Sequence, residues 1–499
     1  MTICRHGRKL RRLAPAGPAL AALLLASCAP VPNLGARPEP ISSAQVAASQ
    51  TFAGQNIVQA DAAWPGDGWW KDWGDPQLDA LIAEGLANSP DVAAAAARFR
   101  QAGAYAQQAG AARLPSLDLQ GKVEETRQSL NMGYPAAFQA FLPQGWNDAG
   151  QVAANLGFDL DLWGKNRAAY AAATSQARAA ALDAQAARLT LASGIASAYA
   201  DLDRLHAERD LRGRELEIAT ASAQLLAQRQ ANGLENRAGV AVGTADVSTA
   251  RIALSQADEA LALRRNQIAA LVGAGPDRGL AIARPHLAVA ARRALPGNAS
   301  TDLIGRRADV LAARQRVEAA AAQIKVARAD FYPAVRLDAL FGFQSLGLGL
   351  LFDKNSQFGS VGPAVTLPVF HGGAIQGQYR GARAEYDAAV AAYDSAVLSA
   401  YQQTADAVTT SRMASARLAD ARAALASSQV AYDVMNARYK GGLATWLDVL
   451  QVEDRLLAAR LNAAGLEAVV RNADVALVRA LGGGFAPDTQ TSLQGNAHG

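Results

Sequence analysis

Histidine, cysteine and paired carboxylates are the side chains from which this 499-residue chain would assemble a metal centre, a nucleophile or an acid–base pair. The five histidines, His6, His206, His286, His371 and His498, are scattered and give no metal-ligand spacing. Acid pairs such as Glu124-Glu125 and Asp258-Glu259 read as solvated faces and not as acid–base pairs. Gly482-Gly483-Gly484 ends a helical stretch instead of opening one, so it reads as a helix stop and not as a phosphate cradle. Two cysteines remain, Cys4 and Cys28. They give no disulfide framework. No enzymatic activity, metal or cofactor is expected from this inventory.

Cys28 owes its interest to what precedes it. Arg5, Arg8, Lys9, Arg11 and Arg12 form a basic start without an acid, and Ala19 to Leu25 is a short apolar run. That run is too short for a spanning helix and has the layout of an export signal. Leu25-Ala26-Ser27-Cys28 resembles the lipobox of bacterial lipoproteins. The expectation is removal of 1–27 and a covalent lipid on Cys28. Without the five basic residues of the signal, 43 Lys and Arg face 44 Asp and Glu. The basic pI of about 9.1 is therefore carried by the signal, and no nucleic-acid partner is expected.

The elements that position any site must be mostly helical. Alanine supplies 118 residues, aromatics 6% and charged residues 18%. Such a composition excludes a disordered chain and argues against a compact all-β or α/β enzyme. No proline falls between Pro143 and Pro276, nor between Pro368 and Pro487. Proline breaks helix interiors, so each window predicts a helical hairpin. One runs over 165–232 and 236–272, the other over 374–440 and 445–481. A helix of 68 residues is about 100 Å long.

The windows are repeats. Gly233-Leu234 matches Gly442-Leu443 at an offset of 209 residues, as do Ala250-Arg251 with Ala459-Arg460 and Gly273 with Gly482. Each half reads helix, strand, loop, strand, long helix, turn, helix. Alternation supports the strands. Leu117, Leu119 and Val123 alternate with Asp118, Gln120, Lys122 and Glu124, and Val152 to Leu162 alternates with Gln151, Asn155, Asp159 and Asp161. Val335, Leu337, Ala339, Phe341 and Phe343 oppose Arg336, Asp338 and Gln344; Val361, Val365, Leu367 and Val369 oppose Gly362, Thr366 and Pro368. One apolar face over roughly ten residues is the pattern of a transmembrane barrel strand. Trp163, Phe331, Tyr332 and Phe370 are placed for an interfacial girdle. Four strands cannot close a barrel, and an open edge is not viable in lipid, so other copies of the chain must complete it.

Short motifs run along the chain in a fixed order: Trp69-Trp70 through Gly74-Asp75-Pro76-Gln77-Leu78, Ala96-Ala97-Arg98, Asp161-Leu162-Trp163-Gly164, Arg306-Arg307-Ala308-Asp309-Val310, Arg438-Tyr439 through Gly442, and Leu447-Asp448-Val449-Leu450. In this order they resemble a TolC-like outer-membrane factor, of the NodT-type efflux lipoproteins. The family usually has proline where Ala308 stands, which puts the helix start there in question. The resemblance implies a mainly α fold with a transmembrane β-barrel: a long helical periplasmic barrel, with four strands per chain completing twelve in a homotrimer. It implies a passive outer-membrane channel for small molecules or drugs, fed by a periplasmic membrane-fusion adaptor and an inner-membrane pump, often of the resistance-nodulation-division type. The implied layout is a lipoprotein signal (1–27), an N-terminal equatorial segment (28–75), a first repeat (76–273), an equatorial link (274–303), a second repeat (304–482) and a tail (483–499).

The resemblance also implies sites. The hairpin turns, with Gly233, Leu234, Gly442, Leu443, Ala444 and Thr445, are candidate adaptor contacts. Asp448 takes the position of a gate aspartate facing the axis; the family's second acid is Gln451 here, its arginine partner is Ala444, and Asp454 is a candidate substitute. Helix-start capping is the plainer role for Asp448. The Trp69, Trp70 and Trp73 cluster suits packing better than ligand stacking. A periplasmic coiled-coil adaptor or scaffold lipoprotein is the alternative. It would share the lipobox and long helices but lack the four strands.

Overall fold

A computed structural model describes residues 31–46, 48–53, 58–59, 62–130, 133, 135–288 and 293–485. The expected signal, Cys28 and the tail beyond 485 lie outside the described residues. In chain order the main elements are α1 (Pro76–Asn88), α2 (Pro90–Ala111), β1 (Ser116–Thr126), β2 (Asn147–Asp159), α3 (Lys165–Ala231), α4 (Arg237–Leu271), α5 (Ala299–Arg306), α6 (Ala308–Ala329), β3 (Ala334–Leu346), β4 (Gln357–Thr366), α7 (Ala374–Lys440) and α8 (Trp446–Ala480). The repeat extends to length. α2 and α6 have 22 residues each, α3 and α7 have 67, and α4 and α8 have 35. No described helix is long and apolar enough to cross a membrane.

The chain divides into two compact units, one of residues 1–38, 101–177 and 316–389, the other of 39–100, 178–315 and 390–499. The first holds a four-stranded antiparallel sheet in the order β1-β2-β3-β4. Ser116 pairs with Gly157, Asp159 with Arg336, and Ala334 with Thr366. Strands of the two repeats thus meet at β2 and β3, and β1 and β4 are edges. Leu117, Leu119, Val123, Phe341, Val361 and Val365 are exposed, an apolar surface suited to lipid. Gly342 lies where a Cβ would stand 2.2 Å from the Val152 carbonyl, so glycine is needed at the seam between the repeats.

Two strands end earlier than their alternation predicts. β2 stops at Asp159, and Asp161 turns to φ 45°. Its carboxylate accepts the N–H groups of Asn166 and Arg167, capping the start of α3. β4 likewise stops at Thr366, leaving Leu367 and Val369 outside it. The girdle also divides. Trp163 stacks on Tyr332 at 4.7 Å, donates from Nε1 to the Pro333 carbonyl and stays half exposed, and Phe370 is 87% exposed. Phe331 is 2% exposed and packs edge-on to Tyr379, so it belongs to the core.

The second unit carries the larger core. Trp69, Trp73, Leu78, Leu81, Ile82, Ile195, Tyr199, Leu202, Ile268 and Val478 form one cluster, which gives Trp69 and Trp73 the packing role expected. Asp75 caps α1, with Pro76 in its first turn. The Asp75 carboxylate accepts from Gln77 N, the Tyr199 hydroxyl and His286 N. Burial pushes that carboxyl up, and the donated bonds outweigh it, holding it below the usual range. The start of α6 is at Ala308 even without proline. Buried Arg307 donates to both oxygens of Asp309, to Gln403 Oε1 and to the Ala480 carbonyl at the end of α8.

Glycine ends the four long helices in one way. Gly233, Gly273, Gly442 and Gly482 all have positive φ. Each is followed by an N–H bonded to a carbonyl five residues back, as Leu234 is to Arg229 and Gly483 to Val478. At the repeat-related pair the turn also presses on backbone: a Cβ at Gly273 would stand 2.5 Å from Asn88 O, and one at Gly482 2.0 Å from Arg306 O. Gly482→Ala is expected to destabilise the protein by about 2 kcal/mol, from the left-handed conformation and the enforced shift. Thermal unfolding in detergent checks it; an unchanged midpoint contradicts it.

Candidate functional site

The candidate site is the pair of hairpin turns and the first turns of α8. The turns are positioned by the glycine stops and by caps on the returning helices. Asn236 caps α4 by accepting from Gly239 N at 2.9 Å. Thr445 caps α8, with Asp448 as its reciprocal partner: the Thr445 hydroxyl accepts from Asp448 N, and Asp448 Oδ2 accepts from Thr445 N at 2.8 Å and from Thr445 Oγ1 at 2.6 Å. The two residues, assigned to different roles from sequence, form one capping box.

That geometry sets the charge. The Thr445 hydroxyl, then the Thr445 N–H and the more distant Arg438 guanidinium, hold the Asp448 carboxyl below the usual range. Asp448 is a fixed negative charge at the head of α8 at neutral pH. Gln451 and Asp454 are exposed. Partial desolvation, with Glu215 nearby, pushes the Asp454 carboxyl up. Leu234 and Leu443 are 68% and 72% exposed. Tyr439 packs against Trp446 at 5.2 Å, bracing α7 against α8 at the turn. Arg438 Nη2 reaches the Leu443 carbonyl. Gly233 and Gly442 supply the positive-φ backbone of the two turns, and Ala444 lies half-buried between Leu443 and the Thr445 cap.

Sequence reading missed Glu453. It lies on the buried stripe of α8, between Val449 and Leu450 on one side and Leu456 and Leu457 on the other. An acid inside such a stripe is itself a signal that a cation must meet it. That cation is Arg214 of α3. Sequence reading also missed how residues 35–38 are held. Arg383 donates to the carbonyls of Gly35 and Ala36, and the Tyr386 hydroxyl donates to Pro38 O. No group of His, Cys, Asp and Glu among the described residues is arranged to hold a metal ion.

Residues 81–274 and 299–483 match the family model described as outer membrane efflux protein. The fusaric acid resistance protein FusA of Burkholderia cepacia is 36% identical over 369 residues, covering 72% of this chain and 68% of that protein. The pyoverdine export outer membrane protein OpmQ of Pseudomonas aeruginosa is 30% identical over 481 residues, 94% of this chain and 97% of that one. Among solved structures, the outer membrane protein VceC from Vibrio cholerae shares 41% identity with a TM-score of 0.77, covering 85% of this chain and all of that one. The Campylobacter jejuni CmeC outer membrane channel, at 21% identity and a TM-score of 0.82 over 93% of this chain and 97% of that one, shares the fold.

The capping box is open to test. Thr445→Ala is expected to cost about 1 kcal/mol in the first turn of α8, read as faster amide exchange over residues 446–449 while the rest of α8 is unchanged.

Proposed function

The chain belongs to the outer membrane efflux protein family, and on that premise we propose that it works as a homotrimer. It is an outer-membrane efflux channel, passive in itself. In our reading three copies supply twelve strands, and a periplasmic membrane-fusion adaptor and an inner-membrane pump, of the resistance-nodulation-division type, deliver the cargo. The observation that carries this reading is the four-stranded sheet with apolar residues exposed and with edges at β1 and β4. A free edge in hydrocarbon leaves backbone donors and acceptors without partners, at several kcal/mol each. Joining β1 of one copy to β4 of the next removes both edges.

The remaining assignments follow from this reading. Residues 76–273 and 304–482 are its two repeats, and 28–75 and 274–303 its equatorial segments. The exposed Leu234 and Leu443, with Gly233, Gly442, Ala444 and Thr445, are the contacts offered to the adaptor. Asp448 narrows the tunnel where three copies converge, and like charges in a ring favour cations over anions. Gln451 leaves this ring with fewer charges than a second acid would give. Cys28 carries the lipid that holds the N-terminus at the outer membrane. FusA is named for fusaric acid resistance and OpmQ for pyoverdine export; for this chain we propose small organic molecules or drugs selected by the pump.

Mass measurement in detergent should give three chains, and a monodisperse monomer that keeps its β content overturns the reading. Mass spectrometry of the mature N-terminus should find a lipidated Cys28; cleavage elsewhere removes that assignment. In planar bilayers Asp448→Ala should raise single-channel conductance and reduce cation preference. Wild-type values for both, in an intact trimer, would show that Asp448 serves only as a cap.

A further inference from the structure

We infer that residues 35–38 form a strap clamped to α7, and that the run from Cys28 to Gly35 is a leash whose length limits how far the clamp can stand from the membrane; this rests on the reading of Cys28 as the lipid-bearing residue. Arg383 Nη1 donates to the Gly35 carbonyl at 3.4 Å, and its Nη2 donates to the Ala36 carbonyl. Its Nε donates to Asp387 Oδ1 at 2.9 Å, one turn further along α7. The Tyr386 hydroxyl donates to the Pro38 carbonyl at 3.2 Å, and the Arg37 guanidinium lies 6.0 Å from the centre of the Tyr386 ring. The Arg383 side chain is only 12% exposed, and Tyr386 is buried. Two neighbouring side chains of α7 thus grip a segment that has no helix or strand of its own.

The strap has a direction. Gly35 and Ala36 meet Arg383, and Pro38 meets Tyr386, so strap and helix run parallel. Going back along the strap therefore leads towards Ala374, the end of α7 that follows β4 and the exposed Phe370. Arg383 stands nine residues beyond Ala374, about 14 Å at the helical rise. The seven residues from Cys28 to Gly35 reach at most about 24 Å when extended. The leash therefore covers the distance with about 10 Å, or three residues, to spare. Four residues fewer would leave a reach of about 10 Å, and one end would have to give. The lipid is held by many buried methylenes and the strap by a few hydrogen bonds, so the strap peels first. Peeling exposes Arg383 and Tyr386 to water, which hydrogen-bonds both, so the clamp can open without stranding a buried charge.

A nitroxide on Ala36→Cys, read by electron paramagnetic resonance in phospholipid nanodiscs, tests the leash. Ala36 is exposed and offers its carbonyl, not its side chain, to the clamp. The intact chain should hold the label immobile. Arg383→Gln with Tyr386→Phe should raise its mobile fraction at least about fivefold; no rise overturns the proposal, because the strap is then held otherwise. Deletion of residues 31–34 should give the same rise, and deletion of 31–32, which leaves about 17 Å of reach, should stay within about twofold of the intact chain. An immobile label in the longer deletion overturns the proposal, as does an equal rise in the shorter one. With Cys28→Ser behind an ordinary export signal, the longer deletion should leave the label immobile, since nothing pulls on the strap. A rise there assigns the effect to the lost residues and overturns the leash. If the longer deletion fails to assemble, replacement of 31–34 by Gly-Ser-Gly-Ser decides: an assembled protein with an immobile label supports a requirement for length, and failure to assemble or a mobile label overturns it. Mass spectrometry of the N-terminus separates the two readings. Absence of lipid on Cys28 removes the anchor assignment and the leash together, whereas an immobile label in the lipidated longer deletion removes the leash alone.

Discussion

Backbone hydrogen bonding in a medium without water is the constraint on which the rest of this molecule depends. Each β1 and β4 edge presents donors and acceptors that hydrocarbon cannot satisfy. A single chain with four strands has no internal solution, because its sheet is too narrow to curl onto itself. The sequence meets this by giving each repeat two strands and joining the repeats at β2 and β3, where Gly342 allows the backbone of Val152 to approach. In the trimer proposed above, identical copies present the same two edges to one another.

The helices show how a small vocabulary of residues produces long, matched elements. Alanine keeps propensity high and side-chain bulk low, so α4 comes close enough to α3 that a Cβ on Gly243 would touch Ala223 and Leu226. Termination is left to glycine at four places, and initiation to Asn236, Thr445 and the Asp161 turn. Polar side chains are buried where they tie segments far apart in sequence, as Asp75 joins Tyr199 and His286, and Arg307 joins the end of α8. These contacts account for two of the short motifs legible in the chain.

Most of the helical architecture was legible because its signals are local. The absence of proline and the presence of glycine place the long helices to within a residue at each end. Strand ends were harder. Leu160 still donates its N–H to the Val335 carbonyl, but the chain turns at Asp161 to cap α3 before Leu162 can extend the alternation. Phe331 looked like its neighbour Tyr332, but only packing against Tyr379 separates a core ring from an interfacial one. Glu453 was invisible for a related reason. Its partner is 239 residues away, and nothing local to α8 says which helix supplies the cation. Asp448 was seen, yet its engagement with Thr445 depends on a hydroxyl rotamer that the motif alone does not specify.

The pairing of β2 with β3 has a consequence for how the molecule forms. Asp159 meets Arg336, and Ala149 meets Leu346, so the centre of the sheet waits for a strand made almost two hundred residues later. Contacts of that separation are slow to find, because the intervening chain must give up its freedom before the ladder returns anything. During that interval β1 and β2 form at most a lone hairpin with two bare edges and an apolar face, the kind of species that joins the wrong neighbour. The long helices fold from local bonds and need no such wait. The locality of their contacts therefore favours helices first and sheet last, and in the proposed trimer the sheet's completion depends on how many other chains are within reach.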